Sequence, residues 1–305
     1  MAFTVDEQKE HLQLLARRAH IQFKELVLPQ DKHVQGNGLR IHYLDWGTNG
    51  KRPILFVHGG GLTAHAWDMV CLDLRADYHC LAMDMRGHGD SEWSPNADYS
   101  YESQAGDVEG VVDGLGLKDF ILVGHSMGGL NTLIYSSKHS EKIACYVLIE
   151  CGPDANMGSA EGQFDFYRAT TEFDSVDDFV QRVVAYRPHS DPKMVRLNLM
   201  HNLRKLPSGK WTWKYDPRRH PDYSVERLTN LNRGLWKYVP SVTCRTLVVR
   251  GGKSQFFLPK HAEDLAGRLP SARWTTVENA AHNVQSANPK GLLREMRSFF
   301  QEVGV

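Results

Sequence analysis

The residues best suited to nucleophilic chemistry lie around Ser126. The stretch 124–128 reads Gly-His-Ser-Met-Gly, and it stands between an apolar run at 121–123 and a helical pattern at 130–137. A Gly-X-Ser-X-Gly string in that setting is typical of a tight turn from strand to helix, in which the glycines leave room for an exposed serine. Amide groups at the helix N-terminus can then stabilise negative charge. The spacing predicts that Ser126 is the nucleophile of an acyl-transfer reaction.

A second loop, rich in glycine, follows the apolar run at 53–57. It reads His-Gly-Gly-Gly at 58–61. Glycines allow a backbone amide to approach a reacting carbonyl group, so we expect the N–H of Gly60 to form an oxyanion hole with the N–H of Met127. A phosphate-binding loop is the rival interpretation, but no Lys-Ser/Thr pair follows and the Gly-X-Gly-X-X-Gly pattern is absent. His58 itself is interpreted as a residue that braces the loop.

A histidine suited to the role of general base stands near the end of the chain. His282 follows the apolar run at 274–277. One histidine among 15 says little by its type alone. Its place after the last predicted strand, with a serine on an earlier strand, matches the chain order serine, acid, histidine that is known for one class of serine triads. We therefore predict that His282 accepts the proton of the serine hydroxyl.

The elements that must position these residues follow an alternating pattern from residue 38 onward. Short apolar runs are separated by helical segments, which is typical of an α/β fold with a mostly parallel, doubly wound sheet covered on both faces. Such sheets hold their ligands at the carboxyl ends of the strands, where the serine, the glycine loop and the histidine are all expected. The predicted strands are 39–46, 54–57, 80–83, 120–123, 145–149, 246–249 and 274–277.

Two segments stand outside that alternation. Residues 152–241 carry helical patterns without a clear core strand, and we interpret them as a helical cap, or lid, inserted after the sixth strand. The α/β core would then consist of 31–151 and 242–305. Residues 1–30 form an N-terminal helical extension with a capping-box pattern at 4–7. We expect its helix to pack on the core, with a dimer contact or a lid over the site as the alternatives.

The cap is rich in aromatic residues, which suits an apolar substrate cleft. We predict that Trp211 and Trp213 bind substrate, together with Gly61 and His125 beside the catalytic loops. The alternative is that the aromatic residues form the cap's own core. The aromatic residues considered are Phe164, Phe166, Tyr167, Trp211, Trp213 and Tyr215.

The composition of the 305-residue chain limits the classes of partner. Lys plus Arg equals Asp plus Glu at 36 each, so we expect a small-molecule substrate, and neither nucleic acid nor a membrane surface, as the partner. A homodimer is compatible with the sequence, and none of the motifs requires a metal or another cofactor. Five scattered cysteines predict a reduced, cytoplasmic protein. The lack of a basic leader and of a long apolar stretch predicts a soluble one.

Taken together, these motifs resemble the α/β-hydrolase superfamily. The resemblance rests on the glycine loop at 58–61, the segment Asp-Met-Arg-Gly-His-Gly-Asp-Ser at 84–91, the serine turn at 124–129 and His282. It spans about residues 35 to 303 and implies the α/β-hydrolase fold with a serine triad. In that family the segment corresponding to 84–91 mostly braces the loop beside the nucleophile, which implies structural roles for its charged residues. These residues are Asp84, Arg86 and Asp90.

One position departs from the family pattern. Most relatives carry the triad acid as an aspartate after the strand at 247–250, whereas this chain reads Gly-Gly-Lys-Ser-Gln at 251–255. A triad still needs an anion beside the histidine. Glu150, at the end of the strand 145–149, is our candidate, and haloalkane dehalogenases and zearalenone lactonases look similar in carrying an acid there. Asp154 is a rival for the role, and the alternative for Glu150 is that it braces the cap hinge.

The resulting hypothesis is a serine hydrolase that cleaves a carboxylic ester or lactone of a bulky, largely apolar substrate through an acyl-enzyme. Ser126, His282 and Glu150 would form its triad. A carbon–carbon bond hydrolase uses the same triad and is the nearest alternative. From a different class, the alternative is a catalytically silent small-molecule receptor, which reaction with a serine-directed organophosphate would exclude.

Overall fold

The computed structural model describes residues 4–162, 165–166, 171–186, 191–219 and 224–305. In chain order the strands are β1 (Gln30–Gly36), β2 (Leu39–Asp45), β3 (Pro53–Val57), β4 (His79–Met83), β5 (Phe120–His125), β6 (Ile143–Ile149), β7 (Glu172–Phe173), β8 (Leu203–Lys205), β9 (Trp211–Trp213), β10 (Thr246–Gly251) and β11 (Ala272–Val277). The helices are α1 (Val5–Arg18), α2 (Asp68–Leu74), α3 (Tyr101–Gly114), α4 (Met127–His139), α5 (Val176–Tyr186), α6 (Pro192–Met200), α7 (Val225–Arg233), α8 (Pro259–Arg268), α9 (Val284–Ala287) and α10 (Pro289–Val303). None of the described helices has both the length and the apolar character needed to cross a bilayer.

Eight of the strands form the central sheet, in the order β1-β2-β4-β3-β5-β6-β10-β11. The pairs β1–β2 and β2–β4 are antiparallel, and all the other neighbouring pairs are parallel. The expectation of an α/β fold with a mostly parallel sheet is therefore confirmed. Because the parallel strands run in one direction, the loops after β3, β5, β6, β10 and β11 emerge at the same edge.

The parallel strands in the middle of the sheet are apolar because helices cover both faces. In β3, Ile54 and Phe56 belong to the hydrophobic layer that also holds residues of α1, α2 and α10. Leu55 and Val57 belong to the opposite layer, with residues of α3, α4 and α8. Successive side chains of β3 thus point into two different core layers. If the strand paired one residue out of register, each side chain would face the opposite layer.

One strand of the sheet lies outside the predicted set. Strand β1 reads Gln-Asp-Lys-His-Val-Gln-Gly, and most of its residues are exposed or half-buried because it pairs only with β2 at the edge. An antiparallel edge strand can face water, so it lacks the apolar run by which strands are predicted. The seven predicted strands all occur, with ends shifted by at most two residues.

Helix α1 contacts both the core and the segment that follows β6. Thr4 caps the helix: its hydroxyl accepts the N–H of Glu7, and the Glu7 carboxylate accepts the N–H of Thr4 at 2.8 Å. Leu12 and Ala16 are buried in the same layer as α2. Arg18, at the end of the helix, forms an ion pair with Asp191 at 2.6 Å. The N-terminal helix therefore lies against two parts of the molecule.

The segment 152–241, inserted between β6 and β10, has a small core of its own. It contains α5, α6, α7 and a three-stranded antiparallel sheet in the order β7-β9-β8. Phe179 and Trp213 are buried at its centre. The strands of this sheet have only two or three residues, too few for a periodic pattern, so the sequence predicts helices alone. Phe164 and Tyr167 lie outside the described residues.

Candidate active site

The predicted nucleophile occupies a strained turn. Strand β5 ends immediately before Ser126 and α4 begins immediately after it. Ser126 has φ 52° and ψ −122°. Such a conformation in a residue other than glycine costs on the order of 1 to 3 kcal/mol and persists only where the surroundings impose it. Its N–H is held by the carbonyl of Ile149 at the end of β6, at 2.9 Å.

The glycines on either side of this turn are required by close packing. A Cβ added to Gly124 would lie 2.2 Å from Thr132 Oγ1. One added to Gly128 would lie 2.3 Å from the carbonyl oxygen of His58. A side chain fits at neither position, because real Cβ atoms do not approach other atoms so closely. The Gly-X-Ser-X-Gly spacing thus follows from how tightly the turn packs against its neighbours.

Three side chains at the carboxyl ends of strands form a hydrogen-bonded line. His282, in the loop after β11, has its Nε2 at 3.0 Å from Ser126 Oγ. Its Nδ1 lies 3.1 Å from Glu150 Oε2. With the proton on Nδ1, the ring donates to the carboxylate and accepts the serine hydroxyl. The structure therefore brings Ser126, His282 and Glu150 together in the order that a serine triad needs.

Glu150 directly follows β6 and is fully buried. Its Oε1 accepts the N–H of Gly251 at 2.6 Å, and its Oε2 accepts the hydroxyl of Ser254 at 2.6 Å. Together with His282, these groups place three donors on one side chain, which is a pattern that suits an ionised carboxylate. Glu150 has a φ of 52°, so the chain turns sharply where the strand ends.

Ser254 lies in the turn after β10, where the family resemblance places the acid. Its side chain is buried, and its Oγ accepts the N–H of Phe256 at 3.2 Å and of Phe257 at 3.1 Å while it donates to Glu150. A glutamate from the neighbouring strand thus reaches the turn that lacks a carboxylate. The sequence analysis does not identify this role of Ser254. The only signal for it is the absence of an acid at 251–255.

The rival acid, Asp154, does not face the histidine. Its Oδ2 accepts the indole N–H of Trp236 at 3.1 Å, and its Oδ1 lies 3.4 Å from Arg233 Nε. Both partners belong to the end of the insertion. Of the two candidate carboxylates, the structure brings only Glu150 into hydrogen-bond distance of His282.

Burial is the main cause of the pKa shifts of His282 and Glu150. Removal from water lowers the pKa of His282 to about 4, which leaves the ring neutral and able to accept a proton. Burial also raises the pKa of Glu150 to about 7, although Ser254 and the N–H of Gly251 favour the ionised form. A neutral ring beside an ionised carboxylate, the state that a general base requires, is therefore favoured above about pH 7.

The glycine loop passes directly over the serine. A Cβ on Gly59 would lie 2.7 Å from His125 Nδ1 and 3.0 Å from Ser126 Cβ, so this approach also requires glycine. At the next residue, a Cβ on Gly60 would lie 3.8 Å from Met127 Sδ. Within the described residues neither the Gly60 N–H nor the Met127 N–H has a hydrogen-bond acceptor. Both amides are therefore available to an oxyanion.

Two buried side chains brace the glycine loop. His58 Nδ1 lies 2.8 Å from the carbonyl oxygen of Gly59, and its Nε2 accepts the N–H of Met85 at 3.1 Å. Asp84 Oδ1 accepts the N–H of Ala64, beyond the loop, at 2.7 Å. The sequence interpretation of His58 and Asp84 as bracing residues agrees with these contacts.

The other charged residues of the segment 84–91 also make structural contacts. Arg86 forms a buried ion pair with Asp107 of α3, at 2.5 Å. Asp90 pairs with Lys214 of the insertion at 2.6 Å. The second contact joins the core to the insertion.

The triad opens into a cavity of about 1250 Å³ that residues of both the core and the insertion line. Its wall is mostly apolar. Of the predicted site residues, the wall includes Gly60, Gly61, His125, Ser126, Met127, Trp213 and His282. The cavity therefore joins the proposed reacting groups to a space large enough for a drug-sized molecule.

The structure places one of the predicted substrate-binding residues, Trp211, away from the cavity, and it shows a further contact of another, His125. Trp211 does not line the cavity: it begins β9 opposite Phe173 and packs against the small core of the insertion. His125 belongs to the wall, but its ring is 1% exposed and its Nε2 lies 2.9 Å from the carbonyl oxygen of His282. Trp211 is thus a packing residue. His125 lines the cavity, so its contact with substrate stays a prediction, and its ring also holds the loop that carries His282.

A cation in the cavity wall lies outside the predicted set. Arg219 is largely buried, and its Nη2 is 3.3 Å from Met127 Sδ. The rings of Tyr99 and Tyr215 lie 6.0 Å from its guanidinium carbon. No motif signals this residue, because it comes from the insertion, where the family pattern is weakest.

Comparisons with known proteins agree with this architecture. The family model described as alpha/beta hydrolase fold matches residues 52–289. Esterase Rv0045c of Mycobacterium tuberculosis is 31% identical over 292 residues, which cover 93% of this chain and 93% of that protein. The sn-1-specific diacylglycerol lipase ABHD11 of Mus musculus is 29% identical over 253 residues, which cover 81% and 80%. A crystal structure of Rv0045c gives a TM-score of 0.79 at 28% identity and covers 98% of this chain and 99% of that chain.

Proposed function

The chain belongs to the alpha/beta hydrolase fold family, and on that basis we propose that it hydrolyses carboxylic esters with Ser126 as the nucleophile. The observation that carries the proposal is the line from Ser126 Oγ through His282 to Glu150, with contacts of 3.0 and 3.1 Å. It lies at the wall of a large, mostly apolar cavity. The relatives named above support the reaction type, since their names are those of an esterase and a lipase.

The first half of the proposed reaction forms an acyl-enzyme. His282 Nε2 takes the proton of Ser126 as the serine oxygen attacks the carbonyl carbon of the ester. Negative charge develops on the carbonyl oxygen, where the amides of Gly60 and Met127 can stabilise it, each worth roughly 10² to 10³ in rate by analogy with measured oxyanion holes. The protonated ring then gives its proton to the departing alcohol. Glu150 stabilises the imidazolium during this step.

The second half releases the acid. Water replaces the alcohol beside His282, gives up a proton to Nε2 and attacks the acyl carbon. The same two amides face the new oxyanion. Collapse of this intermediate returns the proton to Ser126 and frees the carboxylic acid. A lactone would follow the same steps, except that its alcohol remains part of the acyl group throughout, so that the single product is a hydroxy acid.

The substrate class follows from the cavity. Its volume of about 1250 Å³ and mostly apolar wall favour an ester with a bulky, apolar acyl or alcohol part. Trp213 lies on the insertion side of that wall, and Gly61 lies on the core side. We propose that these two residues contact the substrate, whereas Ser126, His282 and Glu150 act on the carbonyl group.

An ester panel combined with a serine-directed probe tests the function. The full chain would be incubated with a fluorophosphonate, and the labelled residue would be identified by mass spectrometry. In parallel, p-nitrophenyl esters and aryl lactones of increasing size would be assayed for hydrolysis. We expect the label on Ser126 and the highest kcat/KM for acyl groups longer than acetyl.

The outcomes separate the alternatives. Ser137 lies in the same helix region and donates to the carbonyl of Ile134, so Ser137→Ala is a matched control that should keep both labelling and activity. Labelling of Ser126 without hydrolysis of any ester or lactone would point to a carbon–carbon bond hydrolase. A protein that neither reacts with the probe nor cleaves any ester would be a silent receptor, and the proposal would be wrong.

A further inference from the structure

A cluster of ionisable side chains lies outside the proposed active site, where three parts of the chain meet. His65 belongs to the short 3-10 helix Ala64–Trp67 that follows the glycine loop, and Asp68 begins α2. His201 directly follows α6 in the insertion. His11 comes from α1, the N-terminal helix. The core, the insertion and the N-terminal helix thus each contribute to one cluster.

The side chains of this cluster are close enough to share a ligand. The rings of His65 and His201 stack with centroids 3.6 Å apart and planes at 26°. One potential ligand atom from each of His65, Asp68 and His201 lies within 4.8 Å of the other two. Asp68 Oδ2 already lies 3.0 Å from His65 Nδ1. The ring of His11 stacks with His201 at a longer distance of 5.5 Å.

We propose that His65, Asp68 and His201 bind a divalent transition-metal ion that ties the insertion to the core. Two imidazole nitrogens and one carboxylate oxygen form a ligand set that suits Zn²⁺, with water in the fourth position. In a tetrahedral site with bonds of about 2.1 Å, the ligand atoms lie roughly 3.4 Å apart. The present spacing of up to 4.8 Å would therefore have to shorten by roughly 1.4 Å at most for all three side chains to bind one ion.

The burial of Asp68 is a second reason for a cation at this place. The residue is 8% exposed, and within the described residues its carboxylate bonds only to His65. A buried carboxylate is costly unless a positive charge or several donors accompany it. Lys214 approaches from the insertion, but it is paired with Asp90 at 2.6 Å. A divalent ion bound here would place positive charge directly beside this carboxylate.

Binding at this cluster would restrain the cavity wall. His201 lies two residues before β8, and Arg204 of β8 lines the cavity. His65 lies a few residues after Gly61, which lines the opposite side. An ion between them holds the insertion against the glycine loop. The inference concerns metal binding and stability, so it stands whether or not the proposed ester hydrolysis is correct.

Thermal unfolding of the full chain tests the proposal without any activity assay. After treatment with a chelator, the protein would be titrated with ZnCl₂, with MgCl₂ and CaCl₂ as the comparison. We expect Zn²⁺ to raise Tm by roughly 3 to 6 °C at a free concentration about a hundred times Kd. The other two ions prefer oxygen ligands and should leave Tm unchanged.

Variants of the proposed ligands test whether the ion binds at this cluster. His201→Gln and Asp68→Asn should each abolish most of the Zn²⁺-dependent shift and weaken Kd at least tenfold by calorimetry on the folded protein. His33→Gln alters an exposed histidine of β1 and should keep the whole shift. His282→Gln removes the ring of the proposed base and should keep it too. No shift in the wild type, an equal shift in His201→Gln, or loss of the shift in His282→Gln alone would each overturn the assignment.

Discussion

The central sheet and the insertion at 152–241 differ in how firmly they hold their side chains. The inner strands β3, β5, β6 and β10 are buried almost throughout, between two hydrophobic layers. The insertion has a much smaller core around Phe179 and Trp213, and its sheet strands have two or three residues. Every proposed catalytic group lies just after a strand of the sheet, whereas the described residues of the insertion contribute to the cavity wall and none of the proposed catalytic groups. Reacting atoms need a rigid support, and recognition of an apolar group tolerates a looser one.

The contacts between these two regions are both apolar and polar: Leu235 and Val239, near the end of the insertion, are buried in one of the two core layers of the sheet. Tyr101 of α3 donates to Asn232 of α7 at 2.6 Å. Tyr99 of the core donates to Asp216 of the insertion. The comparison therefore predicts large effects on the chemical step from changes in the sheet, and smaller effects, dependent on the substrate, from changes in the insertion.

The largest effect is expected from Ser126→Ala. Removal of the nucleophile should lower kcat by about 10⁶, as in other serine triads, since only the oxyanion hole and substrate binding remain. The Tm should stay within a few degrees of the wild type, because the fold does not depend on the hydroxyl. Steady-state kinetics and thermal unfolding check both statements. Retention of more than a few per cent of the activity would remove Ser126 from the mechanism.

Glu150→Gln should have the next largest effect. The amide keeps the shape of the side chain but loses the charge that stabilises the imidazolium, so we expect kcat to fall by roughly 10² to 10⁴. Asp154→Asn is the matched control, and it should keep the wild-type rate because its partners are Trp236 and Arg233. A fully active Glu150→Gln enzyme together with an inactive Asp154→Asn enzyme would reverse the assignment.

The pH dependence of kcat/KM should show which carboxylate acts. The active state needs a neutral His282 and an ionised Glu150, whose pKa values burial places at about 4 and about 7. Activity should therefore fall as pH drops below 7, and the slope should approach tenfold per unit below about pH 6. In Glu150→Gln the limb near pH 7 should vanish and leave one near pH 4. An unchanged limb in that variant would show that another group titrates there.

The smallest effect is expected in the insertion, where two neighbouring tryptophans provide a matched pair. Trp213 lines the cavity and Trp211 does not, although both belong to β9. Trp213→Phe should change kcat/KM for a long-chain ester about tenfold relative to an acetyl ester, the scale of a changed apolar contact. Trp211→Phe should alter both esters equally. If both variants shift the preference alike, the cavity wall does not decide selectivity.

Much of the sheet could be predicted because its strands are buried on both faces. Runs such as 54–57 and 145–149 are apolar throughout, so burial and sequence pattern coincide. The pattern fails for β1, whose exposed residues keep a polar sequence while the backbone still pairs with β2. It fails again for β7 and β8, which are too short to show a period.

The candidate site was predictable to the extent that each residue follows a strand. Ser126, His282 and Glu150 all stand at strand ends that share one edge of the sheet. Ser254 could not be found in this way, because its contact with Glu150 depends on how two loops meet. Trp213 lines the cavity and Trp211 does not, because of how the three-residue strand β9 is placed beside the cavity. The local sequence does not predict that placement.

The position of Glu150 after β6 affects which parts of the sequence can change during evolution without loss of the proposed triad. With Glu150 supplying the charge, the turn at 252–256 contributes a hydroxyl that holds the carboxylate but no proposed reacting group. Its other side chains, Lys253, Gln255 and Phe256, line the cavity. Phe256 also packs against the ring of His282, with centroids 4.5 Å apart, so mutations at Lys253 and Gln255 are the ones that can remodel the cavity wall for new substrates while the chemistry is inherited unchanged. The turn is a compact target for directed evolution, and in natural lineages it is a place where substrate range can drift without loss of the enzyme.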